Sequence, residues 1–176
     1  MSPTADERMM DEDRPLREAL AALGISWHAH EHVAVFTVDE SDAVHAAMPG
    51  VHTKNLFLKD AGGRFWLVTV PAEMRVDLKA LPAVIGSRKL SFGSAEFLLD
   101  LLGIAPGSVT PLAARNDGGG LVTVVLDKAV AEAGQVNVHP LRNTATIGLA
   151  GADLVRALSE WGHVPAIVEV PARASD

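Results

Sequence analysis

Cysteine is absent from all 176 residues. That one absence excludes disulfides, thiolate metal sites and a cysteine nucleophile together. No apolar run approaches the roughly 20 residues needed to cross a bilayer. The opening MSPTADERMMDEDR carries neither the basic nor the apolar stretch of a secretory signal. A cytoplasmic protein without a membrane partner is therefore expected. Also missing are a Walker loop, an HExxH helix and the Gly-flanked GxSxG elbow of a serine nucleophile. Carboxylates are plentiful, but nothing singles out a catalytic pair among them.

What is present suits one compact domain. The apolar fraction is 48% and the charged fraction 21%, ordinary values for a soluble globule long enough to bury a core. Charge is distributed unevenly. The chain carries a formal net charge of -7, yet between Lys54 and Lys89 seven cations (Lys54, Lys59, Arg64, Arg75, Lys79, Arg88, Lys89) face only Asp60, Glu73 and Asp77. A basic island in an acidic chain predicts a confined contact with a polyanion rather than general stickiness.

The residue pattern predicts a mixed α/β fold, largely antiparallel, with helices flanking one sheet. Residues 1–14 read as a flexible acidic lead-in, 15–170 as the domain and 171–176 as a tail. A helix is expected over Leu16–Leu23 and a strand over Ile25–His30, and Thr37-x-x-Glu40 is a capping box for a helix over Val38–Met48. Asn55–Lys59 and Phe65–Val70 form a hairpin through Asp60-Ala61-Gly62-Gly63. Short helices follow at Asp77–Leu81 and Ser94–Leu102, the second capped by Ser94 and stopped by Gly103. Leu121–Leu126 reads as a buried strand and Asp127–Ala133 as a short helix. Val136–Val138 and Thr144–Gly148 read as strands, Ala152–Trp161 as an amphipathic helix, and Ala166–Val170 as a last strand.

Four features invite a chemical reading. His28, His30 and His32 share one face of a strand, which suits either a metal clamp or a half-exposed polar edge; no fourth ligand is marked, and no metal is expected. Gly107-Ser108-Val109-Thr110-Pro111 is either a plain turn or a loop whose Ser108, Val109 and Thr110 N–H groups converge on one oxygen. The second arrangement polarises a carbonyl and is worth roughly 3 kcal/mol per donor in acyl transfer. Lys54-Asn55 heads the apolar run Leu56-Phe57-Leu58. Its lysine is either a solvated strand end or a point charge at a pocket rim. His139-Pro140 lies in a polar interlude, where the imidazole either serves a turn or hydrogen-bonds a substrate amine.

Taken in order, Lys54-Asn55-Leu56-Phe57-Leu58, Arg75-x-Asp77-Leu78-Lys79, Leu90-Ser91-Phe92, Gly107–Pro111, Asn116-Asp117 and His139-Pro140-Leu141-x-Asn143-Thr144-Ala145-Thr146 form a recognisable set. The chain resembles the YbaK/prolyl-tRNA-synthetase-associated editing superfamily from about Leu16 to Pro165. Within it the chain is similar to the freestanding prolyl-tRNA editing proteins of ProX/PrdX type, which deacylate alanine mischarged onto proline tRNA.

The resemblance implies a single α/β domain that uses no metal, no cofactor and no covalent nucleophile. It implies a site made of Lys54, Asn55, Gly107, Ser108, Val109, Thr110 and His139, with the acylated end of tRNA(Pro) as partner and prolyl-tRNA synthetase as a candidate second partner. The expected reaction is ester hydrolysis by water that the terminal ribose hydroxyl helps to activate. Lys54 would anchor phosphate or ribose. Phe57, Leu56 and Pro111 are candidate pocket walls, and Arg75, Lys79, Arg88 and Lys89 would meet acceptor-stem phosphates. Rival readings are a deacylase for cysteine or another small amino acid, a non-catalytic RNA-binding or synthetase-docking module and, more distantly, a small-molecule binder.

Overall fold

The structure, a computed structural model, describes residues 13–32 and 46–173. The element order is α1 (Arg14–Ala22), β1 (His28–Glu31), β2 (Val51–Asp60), β3 (Phe65–Pro71), α2 (Leu81–Ile85), β4 (Leu90–Phe92) and α3 (Ala95–Leu102). Two 3-10 turns follow, Pro106–Ser108 and Pro111–Asn116. The chain then continues through β5 (Val122–Asp127), α4 (Lys128–Ala131), β6 (Val136–Val138), β7 (Ala145–Leu149), α5 (Gly151–Glu160) and β8 (Ala166–Val168). The helix expected over Val38–Met48 lies largely outside the described residues.

The strands form one mixed sheet in the order β1-β7-β6-β2-β3-β5-β8, with β4 added to β2 off that path. Four pairings are antiparallel (β1 with β7, β6 with β7, β2 with β3, β2 with β4) and three are parallel (β2 with β6, β3 with β5, β5 with β8). Asp60 makes the β2–β3 hairpin. Its carboxylate accepts the N–H groups of Gly62 and Arg64 at 2.9 Å each and of Arg88 at 3.2 Å. These bonds, that from Arg64 foremost, hold its acidity below the ordinary aspartate value.

Both faces of the central strands are covered, so β3 and β5 read as apolar runs rather than alternations. Leu67, Val122, Val124 and Leu126 face one side, where Leu16 and Leu20 of α1, Leu98 and Leu102 of α3, and Leu154 and Leu158 of α5 are buried. Trp66, Val68, Val70 and Val125 face the other side, with Leu58, Leu81 and Leu90. The hydrophobic gain of burying such a side chain is about 1.5–3 kcal/mol, and these positions set the sheet's register.

Several boundaries differ from the sequence reading. Helix α1 begins at Arg14, and Asp13 is 2% exposed, so residues 13 and 14 of the expected lead-in belong to the fold. Asp77 does not start a helix. Its carboxylate accepts the N–H groups of Lys79 and Ala80, shaping a turn that delays α2 to Leu81. The short strand β4 was not expected, and β8 ends at Val168. Beyond it Pro171, Ala172 and Arg173 bond back to Asp77, Val76 and Arg75, so the first residues of the expected tail belong to the fold.

Candidate active site

The site grows from an interruption along one side of β2. On that side β6 pairs with Val51 and His52, and β4 pairs with Leu58, Lys59 and Asp60. Between these partners, at residues 53–56, no described strand continues the ladder. The bracket is tight at both ends: the Thr53 hydroxyl donates to the Asn137 carbonyl at 2.8 Å, and the Gly93 N–H donates to the Phe57 carbonyl at 2.9 Å. A cavity of about 190 Å³ occupies the gap, lined among others by Asn55, Leu56, Phe57, Phe92, Gly93 and Val109.

Asn55 ties the gap to the Gly107–Pro111 loop. Its Oδ1 accepts the Thr69 hydroxyl at 2.6 Å, and its Nδ2 donates to the Val109 carbonyl at 2.9 Å. Thr69 stands directly across the hairpin, so β3 orients the amide and the amide fixes the loop. Among the three N–H groups expected to converge, that of Ser108 bonds the Ala105 carbonyl at 2.9 Å and closes a 3-10 turn. This corrects the expectation of three available donors. The amides of Val109 and Thr110 donate to no acceptor among the described residues. Thr110 is fully buried; its hydroxyl accepts from the Leu112 N–H and, with the buried ring of Pro111, starts the second turn.

A third segment meets the loop. A Cβ placed on Gly107 would lie 3.3 Å from the Asn143 side-chain amide, so the β6–β7 connection packs against the loop's first residue. In that connection Leu141 adopts φ 69°, a left-handed conformation uncommon for a branched side chain. His139 precedes it. Its Nδ1 donates to the Ala145 carbonyl at 3.1 Å, because a carbonyl can only accept, and this leaves Nε2 as the acceptor of the neutral ring. Burial lowers the basicity of His139 below the ordinary histidine value, more than the Ala145 bond restores it, and the nearby His32 lowers it further.

An ion-pair cluster behind this connection was not anticipated. Arg142 is 6% exposed and grips Glu31 with both terminal nitrogens, at 2.6 and 2.7 Å, while also reaching Thr144 and Asp13. The bonds from Arg142 hold Glu31 below the ordinary glutamate value, and Glu31 in turn raises Arg142. The only sequence signal was an arginine set inside an otherwise uncharged stretch, Leu141 to Ile147. Asn116-Asp117 of the ordered motif set is likewise structural: Asp117 accepts the N–H groups of Leu121 and Val122 and pairs with His163 at 3.0 Å, and Asn116 bonds the Leu102 carbonyl.

The remaining predicted residues divide. Lys54 adjoins Asn55 on β2, opposite Val70, half-buried and without a hydrogen bond or ion pair among the described residues. Strand alternation sends its side chain to the face shared by Leu56 and Leu58, opposite that of Asn55. Phe57 is 5% exposed and stacks on Phe65 at 5.6 Å, forming the cavity floor. Lys79, Arg88 and Lys89 line a second cavity of about 610 Å³ with Ser87, Leu78 and Leu90. Arg75 does not join them: it sits at the Val76–Ala172 bridge, its carbonyl bonded to the Arg173 N–H. His28 and His30 lie on the edge strand β1, and His32 bonds the Thr146 hydroxyl at 2.9 Å.

Comparison with known proteins fits this arrangement. Residues 32–157 match the model of the aminoacyl-tRNA editing domain. The chain belongs to that family. It is 38% identical over 161 residues to the Danio rerio prolyl-tRNA synthetase associated domain-containing protein 1, covering 90% of this chain and 88% of the relative. It is 35% identical over 162 residues to the prolyl-tRNA editing protein ProX of Acetoanaerobium sticklandii, covering 92% and 99%. A solved structure described as "a putative trans-editing enzyme for prolyl tRNA synthetase" superposes with a TM-score of 0.70 at 20% identity, covering 98% of this chain and all of the other. That last likeness speaks for the fold alone.

Proposed function

We propose that this editing-domain protein is a freestanding deacylase that hydrolyses alanine from mischarged tRNA(Pro). The observation that carries the reading is the Asn55–Val109 bond. It holds Val109 at a small cavity floored by Phe57, with the Val109 amide and that of the buried Thr110 next to it both uncommitted among the described residues. In the proposed reaction these amides receive the ester carbonyl and, as water adds, its oxyanion. Each such donor is worth about 2.7–4 kcal/mol of barrier. The terminal ribose hydroxyl draws the proton from the attacking water, and the ester oxygen leaves as the other ribose hydroxyl.

His139 supports the substrate's amino group. With Nδ1–H engaged by Ala145, its Nε2 lone pair accepts from an ammonium, and burial keeps the ring neutral for that purpose. An RNA end laid across the open side of β2 meets Asn55 on one face and Lys54 on the other, where the ammonium pairs with phosphate. Lys79, Arg88 and Lys89 extend that positive field along the acceptor stem.

Selectivity follows from size. A synthetase pocket built for proline rejects alanine weakly, since lost apolar contact is worth only about 1–3 kcal/mol. A second pocket that admits a methyl group and excludes a ring supplies the missing discrimination. Deacylation of alanyl-, cysteinyl- and prolyl-tRNA(Pro) tests this directly, with alanine expected to be released and proline retained. Release of cysteine in preference to alanine would move the specificity to the rival substrate. Failure to release any of the three, with tRNA still bound, would leave only a binding module.

A further inference from the structure

The ordered motif Leu90-Ser91-Phe92 has no role in the chemistry above, yet its last residue is conspicuous. Phe92 is 65% exposed, the most exposed phenylalanine among the described residues, and it makes no ring contact with another aromatic there. The other described phenylalanines form one cluster: Phe57 stacks on Phe65 at 5.6 Å, and Phe65 meets Phe97 in a tilted contact at 5.0 Å. Leaving a large apolar ring in water forgoes burial that its neighbours obtain.

Its placement is fixed from both sides. Upstream, the ladder pairs Phe92 with Leu58, Ser91 with Lys59 and Leu90 with Asp60. Downstream, the Gly93 N–H bonds the Phe57 carbonyl, and the Ser94 hydroxyl caps α3 by accepting the Phe97 N–H at 3.1 Å. Gly93 packs so closely on the Phe57 ring that a Cβ there would come within 2.6 Å of two ring carbons. The ring of Phe92 is thus mounted on immobilised backbone, so little freedom is lost when something settles on it.

Phe92 also stands between two cavities. It lines the small one that holds Asn55 and Val109, while Leu90, two residues earlier on the same strand face, lines the cationic one with Lys79, Arg88 and Lys89. Two strand residues span about 6.6 Å. An acyl group in the first cavity and a phosphate in the second therefore leave the connecting nucleoside over β4.

We propose that Phe92 is the stacking platform for the 3′-terminal nucleobase of the acylated RNA. The proposal rests on the editing reading and adds a base-binding subsite to it. Every base has a π face, so the platform contributes affinity and registers the end of the strand without reading sequence. Lys59, whose ammonium lies 5.0 Å from the Phe97 ring centre, shows that this end of the sheet also draws cations onto aromatic faces.

The test compares two inhibitors of alanyl-tRNA deacylation: 3′-alanylamino-3′-deoxyadenosine, and the same alanylamino ribose carrying a methyl group in place of adenine. Wild-type protein is expected to bind the adenine compound about 5- to 150-fold more tightly, the range found for one base on one aromatic side chain. Phe92→Ala should erase that ratio and raise KM with little change in kcat, whereas Phe92→Trp should retain it. Phe92→Leu, which keeps apolar bulk but no π face, should behave like alanine, and thermal melts confirm that each variant folds. Equal binding of the two compounds by active wild-type protein overturns the platform and leaves the editing reading standing. A wild-type protein that deacylates no tRNA overturns both.

Discussion

Replacing Asn55 by Asp changes one NH₂ to O⁻ and leaves size almost untouched, so its effects can be traced to two hydrogen bonds. The Thr69 hydroxyl, 2.6 Å from Oδ1, keeps an acceptor. The Val109 carbonyl, 2.9 Å from Nδ2, loses its donor and meets a carboxylate oxygen instead. Leaving a half-buried acceptor unpaired costs about 1–3 kcal/mol, which for a domain of this size lowers Tm by about 2–4 °C per kcal/mol. The functional loss should be far larger than the stability loss. The repelled carbonyl carries the Val109 and Thr110 amides with it, and a 1 Å misplacement of positioning groups costs about 10²-fold in rate. Single-turnover deacylation of alanyl-tRNA(Pro), run well below the variant's Tm, is the assay. Asn55→Asp should lose about 10²-fold or more, and Asn55→Ala, which removes the donor without adding repulsion, should lose less. A melting point lowered as expected with single-turnover rates unchanged would show that Asn55 is only a structural tie, and the argument from its bond to the loop would fail.

Four further outcomes are expected. Arg142→Met should destabilise the fold by about 2–3 kcal/mol, below the limit for a fully buried pair because Glu31 stays 43% exposed; a melt within a degree of wild type would refute the clamp. Glu31 has its folded-state acidity strengthened, so its stabilisation is present above the ordinary value of 4.5 and lost as pH falls through the lower folded value; the stability gap between wild type and Glu31→Gln should accordingly shrink in denaturant titrations on acidification below 4.5, and a gap that widens would reverse the sign. For His139, burial keeps the ring neutral at and above the ordinary 6.5, so the acid limb of the deacylation rate should fall below that pH and disappear in His139→Gln. Gly93→Ala should cost about 1–3 kcal/mol through its clash with the Phe57 ring, read as a lowered Tm in a thermal melt.

Legibility of the fold tracked the strength of local chemistry. The hairpin at Asp60 was readable because a carboxylate and two glycines dictate a turn, and α3 was readable because Ser94 caps it and Gly103 takes φ 69°. Helix α2 was misplaced because Asp77 offers the same capping signal to a plain turn, and Pro82 with the β-branched Val84 and Ile85 gives a weak helical pattern. Strand β4 is three residues long, too short for a period to show. At the candidate site, the motif residues stood out by order and type, but their partners did not. That Asn55 reaches Val109 and that Arg142 reaches Glu31 across 111 positions are facts of tertiary packing. No window along the chain contains them.

The break in pairing beside β2 also bears on self-association. A bare stretch of strand ordinarily invites the backbone of another copy to zip onto it and seed aggregates. Here β6 and β4 stand at either end like gateposts, and the stretch between them, residues 53–56, is shorter than the roughly five or six residues of a usual strand. Among the described residues, the candidate site thus leaves only a short, bracketed stretch of main chain unpaired along β2, a poorer template for another strand than a long open edge.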